Sequence, residues 1–356
     1  MLSSEPVFSE LMDSSRMPLI KNKRSMALTA CRLLQAHRWW GLLDRWHGLV
    51  VLNYHRIGDS AHTPLDSGVF SATVHQFEAQ LRYLQADCDV IRVADIADVL
   101  RQGSKRRSVL LTFDDGYLDN YELAYPVLKR VGLPAVIFLA TGFLDERFVA
   151  WWDEIAWIVK RTMQPNLGLP LSWDIESLAV PAMASDREPV IRRLLRAAKS
   201  LTPQKLKQFL DDLAEVAGTG RAPRTAETAP WMTWDMVREM HRGGIDFGGH
   251  TVTHPVLSKC SIDQQREEIR QSKARVEAEL GTPITTFSYP IGQRWAMTSE
   301  TRRLVREAGF QWGFNFYPGY ANGETDPTDL PRIAMEPRMS PQELQAIVQI
   351  PRLFAR

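Results

Sequence analysis

Short apolar, β-branched runs alternate along this chain with segments whose apolar side chains recur every three or four positions. Residues 49–52 form such a run, as do 108–113, 135–140, 244–247, 285–289 and 311–316, with a last one near 332–334. Runs this short and this apolar read as strands covered on both faces. Helical patterns lie between them at 70–84, 118–131, 236–242, 262–280 and 299–308. Strands and helices in alternation specify an α/β protein with a mainly parallel sheet or barrel. The alternation stops between about residues 145 and 230, where helical patterns, a Pro-rich stretch and a polar segment take over. This stretch reads as a mostly helical insertion.

The chain divides into a tail with an amphipathic helix (1–47), a main domain (48–340) interrupted at about 145–230, and a C-terminal helix or tail (341–356). In the first segment Leu28, Cys31, Leu34, Trp39, Leu42, Leu43 and Trp46 recur near helical spacing. Residues 21–47 hold six Lys/Arg and one acid. Such a helix either packs on the main domain, the preferred reading, or lies on an anionic membrane surface. Over the whole chain 43 Lys+Arg meet 42 Asp+Glu, for a net charge of +1. That balance argues against a nucleic-acid partner bound through its phosphates. No run of about 18 apolar residues forms a membrane span and no secretory signal pattern is present, so a cytoplasmic location is expected, with a place peripheral to the inner membrane as the alternative. Cys31, Cys88 and Cys260 are too few and too scattered for a disulfide framework.

Three segments carry chemistry, and each follows a strand. Thr112-Phe113-Asp114-Asp115-Gly116-Tyr117 puts two adjacent carboxylates at a strand end. A cation would compensate their repulsion, although an Asp-Asp-Gly turn is also a common solvated turn. His250-Thr251-Val252-Thr253-His254 follows a strand and a Gly pair. Two His at i and i+4 can share one side of a helical turn and chelate a metal. With Asp115 they make a His/His/carboxylate set that leaves coordination positions for water. Phe287-Ser288-Tyr289-Pro290-Ile291-Gly292 forces a turn that can aim backbone N–H groups at a ligand. In a parallel α/β fold all three belong to one rim.

These segments resemble the first three motifs of the polysaccharide deacetylases (carbohydrate esterase family 4, the NodB-homology domain). Tyr54-His55-Arg56 and Trp231-Met232-Thr233-Trp234 resemble its exopolysaccharide-associated branch. The resemblance covers roughly residues 48–144 and 231–340. It implies a distorted (β/α) barrel of about seven strands and a divalent metal, zinc foremost. Asp115, His250 and His254 would hold the metal, and Asp114 would be the general base. The implied reaction removes an acetyl group, N-acetyl foremost, from an acetylated glycan in exopolysaccharide biosynthesis, with polysaccharide-assembly machinery as a further partner. The N–H near Ile291 would hold the oxyanion. Tyr289, Pro290 and Tyr117 are expected on the substrate side.

Two departures from the family pattern matter. Where many members carry an Arg that orients the catalytic Asp, this chain has Ser288. Arg332, on the last strand, is the expected substitute. No His follows His254, so the usual late general acid is missing. His55 is the first substitute, ahead of Asp114 returning its proton. Trp151-Trp152-Asp153 opens the insertion, and Trp152 is expected either to stack on a sugar or to pack the insertion core. An O-acetyl esterase, a cyclic-amide hydrolase and a non-catalytic glycan-binding barrel remain the alternatives.

Overall fold

Eight parallel strands form the central sheet: β1 (Leu49–Tyr54), β2 (Cys88–Val90), β3 (Arg107–Phe113), β4 (Val136–Leu139), β5 (Asp246–Gly249), β6 (Thr286–Ser288), β7 (Trp312–Phe314) and β8 (Ile333–Ala334). The structure, a computed structural model, describes residues 48–102 and 106–353. The amphipathic helix expected before residue 48, with Cys31, lies outside the described residues. Within them no helix is long and apolar enough to cross a membrane, and Cys88 and Cys260 are free.

Seven strands follow one path, β7-β6-β5-β4-β3-β1-β8. The strand β2 shares an edge of β3 with β4, Cys88 lying opposite Arg107 and Val136 opposite Thr112. The ends of the path curl towards each other. Phe314 of β7 bridges in parallel to Leu330. Three residues later the same segment becomes β8, with Ile333 opposite Leu52 of β1. A distorted barrel of seven strands results, and residues 330–334 are its seam. All strands run the same way, so their C-terminal ends share one rim.

Helices pack around the barrel, among them α1 (Val74–Asp87), α2 (Ile96–Gln102), α3 (Tyr125–Val131) and α4 (Thr141–Glu146). Thr73 starts α1 with a capping box to Gln76, three residues after the sequence pattern begins. Residues 70–72 instead form a short strand beside Arg56–Ile57. Phe77, Leu81 and Leu84 of α1 are fully buried, each contributing about 1.5–3 kcal/mol.

The interruption holds α5 (Trp151–Arg161), α6 (Glu188–Ala198) and α7 (Pro203–Ala217), with a short antiparallel pair, Asn166–Leu167 and Leu178–Ala179. Its first helix is buried from Trp151 to Val159. Buried Arg187 satisfies carbonyls at the end of that helix, bonding Val159 O, Lys160 O and Thr162 O, where a cation also meets the negative end of the helix dipole. The chain returns to the barrel beside the carboxylate turn: Trp231 bridges Tyr117, and Leu118 N–H donates to Pro230 O at 2.7 Å. Then come α8 (Trp234–Arg242), α9 (Ile262–Leu280), α10 (Ser299–Glu307) and α11 (Pro341–Gln349).

The fifth strand differs from its sequence reading. It starts at Asp246, not 244, and Gly248 and Gly249 are its last residues, not a turn after it. A Cβ on Gly248 would lie 2.5 Å from Thr286 Oγ1 and 2.6 Å from Phe138, so only glycine lets the neighbouring strands close up.

Candidate active site

At the rim, Asp114 and Asp115 leave β3 in opposite directions. Asp115 adopts φ 76° and Gly116 follows at φ 91°. This left-handed pair splits two adjacent carboxylates between two sets of partners.

Asp114 faces the barrel seam. Arg332 donates to it twice, Nη1 to Oδ1 and Nη2 to Oδ2, both at 2.8 Å. Asn53 Nδ2 donates to Oδ2 at 3.2 Å. The Arg332 guanidinium is held in turn by Asn315 O at 2.6 Å, Asn53 Oδ1 at 2.6 Å and Ser288 Oγ at 2.8 Å. Ser288, at the position where the resemblance led one to expect an Arg, therefore accepts from an Arg supplied by the neighbouring seam. Burial by itself would raise the Asp114 carboxyl. Arg332, with His250 close by, outweighs it and holds the group well below the usual carboxylate range.

Asp115 faces the two imidazoles. His250 Nε2 and His254 Nε2 each lie 3.5 Å from its Oδ1, and all three side chains are buried. His250 Nδ1–H donates to Ser288 O at 2.7 Å, which turns Nε2 towards Asp115. Burial pushes His254 down to about 3 and keeps it neutral. Asp115 Oδ1 is buried with no hydrogen-bond partner among the described residues. That orphaned oxygen tests whether a cation fits. Two donors bound at about 2.1 Å to one tetrahedral ion lie about 3.4 Å apart, close to the spacing found. Two imidazoles and a carboxylate are a donor set suited to a divalent ion.

The imidazoles are not paired by a helical turn, contrary to the spacing argument. Residues 250–254 form a loop in which Thr251 has φ 67° and His254 φ 55°. Glu268 of α9 pins the loop, accepting from Val252 N–H at 2.7 Å and Thr253 N–H at 2.9 Å. Ile291 is also left-handed, at φ 63°. Backbone strain thus gathers around this rim.

One cavity of about 370 Å³ exposes Asp114, Asp115, His250, His254, His55, Arg332, Ile291 and Trp152 together. His55 Nε2 lies 3.9 Å from Asp114 Oδ2, beyond hydrogen-bond reach. The Ile291 N–H has no partner among the described residues. Trp152 stands edge-on to His254, ring centroids 4.5 Å apart.

The other three expected substrate-side residues are buried, and two of them lie outside the cavity lining. Tyr117 is fully buried, its hydroxyl donating to Asp153 Oδ2 at 2.7 Å and accepting from Trp152 Nε1 at 2.8 Å. It ties the insertion to the barrel and does not line the cavity. Tyr289 does line the cavity, but it is 1% exposed and its hydroxyl donates away to Thr328 O at 2.8 Å. Pro290 is buried beneath the turn. Sequence reasoning missed Asn53 and Glu268. Asn53 had a visible signal, a polar residue at the end of an apolar strand.

Comparison with known proteins identifies the frame. The family described as polysaccharide deacetylase matches residues 101–165 and 211–313, and the gap falls inside the interruption. A Bacillus subtilis protein named as a polysaccharide deacetylase, YxkH, is 24% identical over 315 residues, 87% of this chain and 79% of that protein. The chain belongs to the polysaccharide deacetylase family. It is accordingly a hydrolase, a polysaccharide deacetylase. The Staphylococcus aureus poly-beta-1,6-N-acetyl-D-glucosamine N-deacetylase is 30% identical over 108 residues, 27% of this chain and 37% of that protein. The solved structure of the Streptococcus pyogenes deacetylase PplD in complex with acetate has the same fold, with a TM-score of 0.55 at 20% identity over 83% of this chain and 96% of that one.

Proposed function

We propose that this polysaccharide deacetylase is a divalent-metal-dependent N-deacetylase acting on an acetamido sugar of an exopolysaccharide or its precursor. One observation carries the reading: adjacent carboxylates with separate partners, Asp114 on Arg332 and Asp115 on His250 and His254. The named activity of the S. aureus relative supports the choice of an N-acetyl sugar.

Asp115, His250 and His254 would hold the ion, zinc foremost, which when bound supplies Lewis acidity at the acetyl carbonyl and lowers the pKa of water. Asp114, kept ionised by Arg332, takes the proton of the attacking water. Arg332 touches Asp114 and positions it. The unpartnered Ile291 N–H donates to the oxyanion that develops on the acetyl oxygen. His55, whose Nε2 lies 3.9 Å from Asp114 Oδ2, hands a proton to the departing amine. The products are acetate and an amino sugar.

Acetate release from N-acetylglucosamine oligomers tests the reading. Wild type should be chelator-sensitive, and Asp114→Asn should lose about 10²–10⁴-fold in turnover, the usual worth of a general base, while still binding the metal. Chelator-insensitive release, or full activity in Asp114→Asn, would refute it.

A further inference from the structure

A second cavity lies against the first. It measures about 630 Å³ and shares Trp151 and His254 with the carboxylate cavity. Phe143 and Phe148 wall it from the barrel side, and Leu201, Leu206 and Leu210 from the interrupting helices. Phe148, Leu201 and Leu206 are only half-buried, so the cavity holds apolar surface in contact with water. Its charged groups are already engaged. Arg221 pairs with Glu154 at 2.6 Å, and Lys207 pairs with Asp211 at 3.0 Å. The Arg224 guanidinium sits over the Phe148 ring. A run of further sugar units would ask these walls for hydrogen bonds they lack. A hydrocarbon chain would not.

The shared wall carries a second signal. Trp151 Nε1 and His254 Nδ1 are both buried, with no hydrogen-bond partner among the described residues. Their residues are 7% and 6% exposed. Where His254 Nε2 holds the ion of the proposed site, Nδ1 carries the proton, so both atoms are then N–H donors. Buried N–H groups left unpaired are costly, and two on one wall call for an acceptor there.

We propose that the second cavity is a subsite for the hydrocarbon part of an amphiphilic glycoside. The acetamido sugar occupies the carboxylate cavity. The oxygen joining sugar to chain accepts from Trp151 Nε1–H and His254 Nδ1–H. The chain lies among Phe148, Leu201 and Leu206. The substrate class is thus a lipid-linked acetamido sugar, and the enzyme follows a reaction that attaches that sugar to a hydrophobic carrier. This rests on the deacetylase reading above.

The test uses the full chain and N-acetyl-β-glucosaminides with methyl, octyl and dodecyl aglycones, each below its micelle-forming concentration. Acetate release should show kcat/KM rising at least tenfold from methyl to octyl, mainly through KM. Leu206→Asp should bring the octyl-to-methyl ratio close to one. Leu171→Asp, at a site 97% exposed and outside the cavity, should keep the wild-type ratio. Equal kcat/KM along the series, or an unchanged ratio in Leu206→Asp, overturns the subsite. Calorimetric binding of the octyl and methyl glycosides separates this failure from that of the parent reading. If no glycoside releases acetate but octyl binds at least tenfold more tightly, the deacetylase reading fails and the subsite stands. Equal binding sinks the subsite.

Discussion

Two buried carboxyls in this protein are driven in opposite directions. Asp114, on the barrel, is held well below the usual carboxylate range, whereas Asp153, on the first helix of the interruption, is pushed up to about 7. Burial raises both. Asp153 accepts hydrogen bonds only from neutral donors, Asp66 N–H at 2.9 Å and Tyr117 O–H at 2.7 Å, while the nearby Arg56 is bonded to Asp119. Asp114 receives a two-pronged guanidinium. Burial therefore supplies a low dielectric in both places, and only a directly bonded cation keeps the charge there. A general base needs that charge. The barrel seam, by carrying Arg332 between β7 and β1, provides it.

Removing the cation should erase the contrast. Arg332→Ala leaves Asp114 buried without its partner, a change that typically costs about 3–5 kcal/mol in stability, or else Asp114 takes up a proton. Turnover should fall about 10²–10⁴-fold, as for loss of a general base. Metal content, measured by elemental analysis, should stay at one per chain, because Arg332 makes no bond to Asp115, His250 or His254. The acid limb of the kcat/KM profile should move to higher pH. Wild-type turnover in Arg332→Ala would separate the pair from catalysis.

The opposite shifts also predict opposite dependences of stability on pH. Asp153 has its folded-state pKa raised, so its contribution is full below the unfolded value of about 3.9 and is lost as pH rises towards 7. Asp114 has its pKa depressed, so its contribution is present above about 3.9 and is lost only as pH falls below that value. The two windows do not overlap. Between pH 4.5 and 7.5 urea unfolding should show a loss of about 2–4 kcal/mol assignable to Asp153. Asp153→Asn should flatten that slope. An identical slope in the variant would mean that Asp153 is ionised throughout.

The two regions were also unequally legible in the sequence. The barrel rim announced itself, because each motif directly follows an apolar run: Asp114 and Asp115 follow β3, His250 follows β5 and Ile291 follows β6. Strand ends converge whatever the loops do. What the loops do was less visible. The i,i+4 spacing of His250 and His254 suggested a helix, but Glu268 captures the intervening N–H groups and two left-handed residues do the pairing. The strand Cys88–Val90 was missed because it is three residues long with Asp89 at its centre. Tyr117 read as a substrate residue because it ends a catalytic hexapeptide. Its partner Asp153 lies 36 positions away, in a segment with no barrel pattern.

That Tyr117–Asp153 link offers a smaller test. Tyr117→Phe removes the donor to Asp153 and the acceptor of Trp152 Nε1. Two buried polar groups lose a partner, for about 1–3 kcal/mol in stability. Turnover should change by less than about threefold, because neither lost bond touches Asp114 or Asp115. A larger loss of turnover with intact metal content would return Tyr117 to the substrate side.

The last expected effect concerns His55. It lies on the barrel, yet it is a quarter exposed and makes no hydrogen bond to Asp114 at 3.9 Å. Its ring packs edge-on against Phe316, centroids 5.7 Å apart, which keeps it over the cavity. A group placed this way can give a proton to a leaving amine, and it contributes only where the leaving group needs one. His55→Gln should therefore slow amide hydrolysis by about tenfold, near the low end for general acids. Hydrolysis of an aryl acetate, whose phenolate leaves unaided, should change little. The ratio of the two rates is the informative quantity, since a packing defect would slow both substrates alike. If both rates fall together, His55 shapes the cavity, and the proton returns to the amine from Asp114. If only the amide rate falls, the barrel supplies both the base, held charged by Arg332, and the acid, left partly in solvent at the mouth of the same cavity.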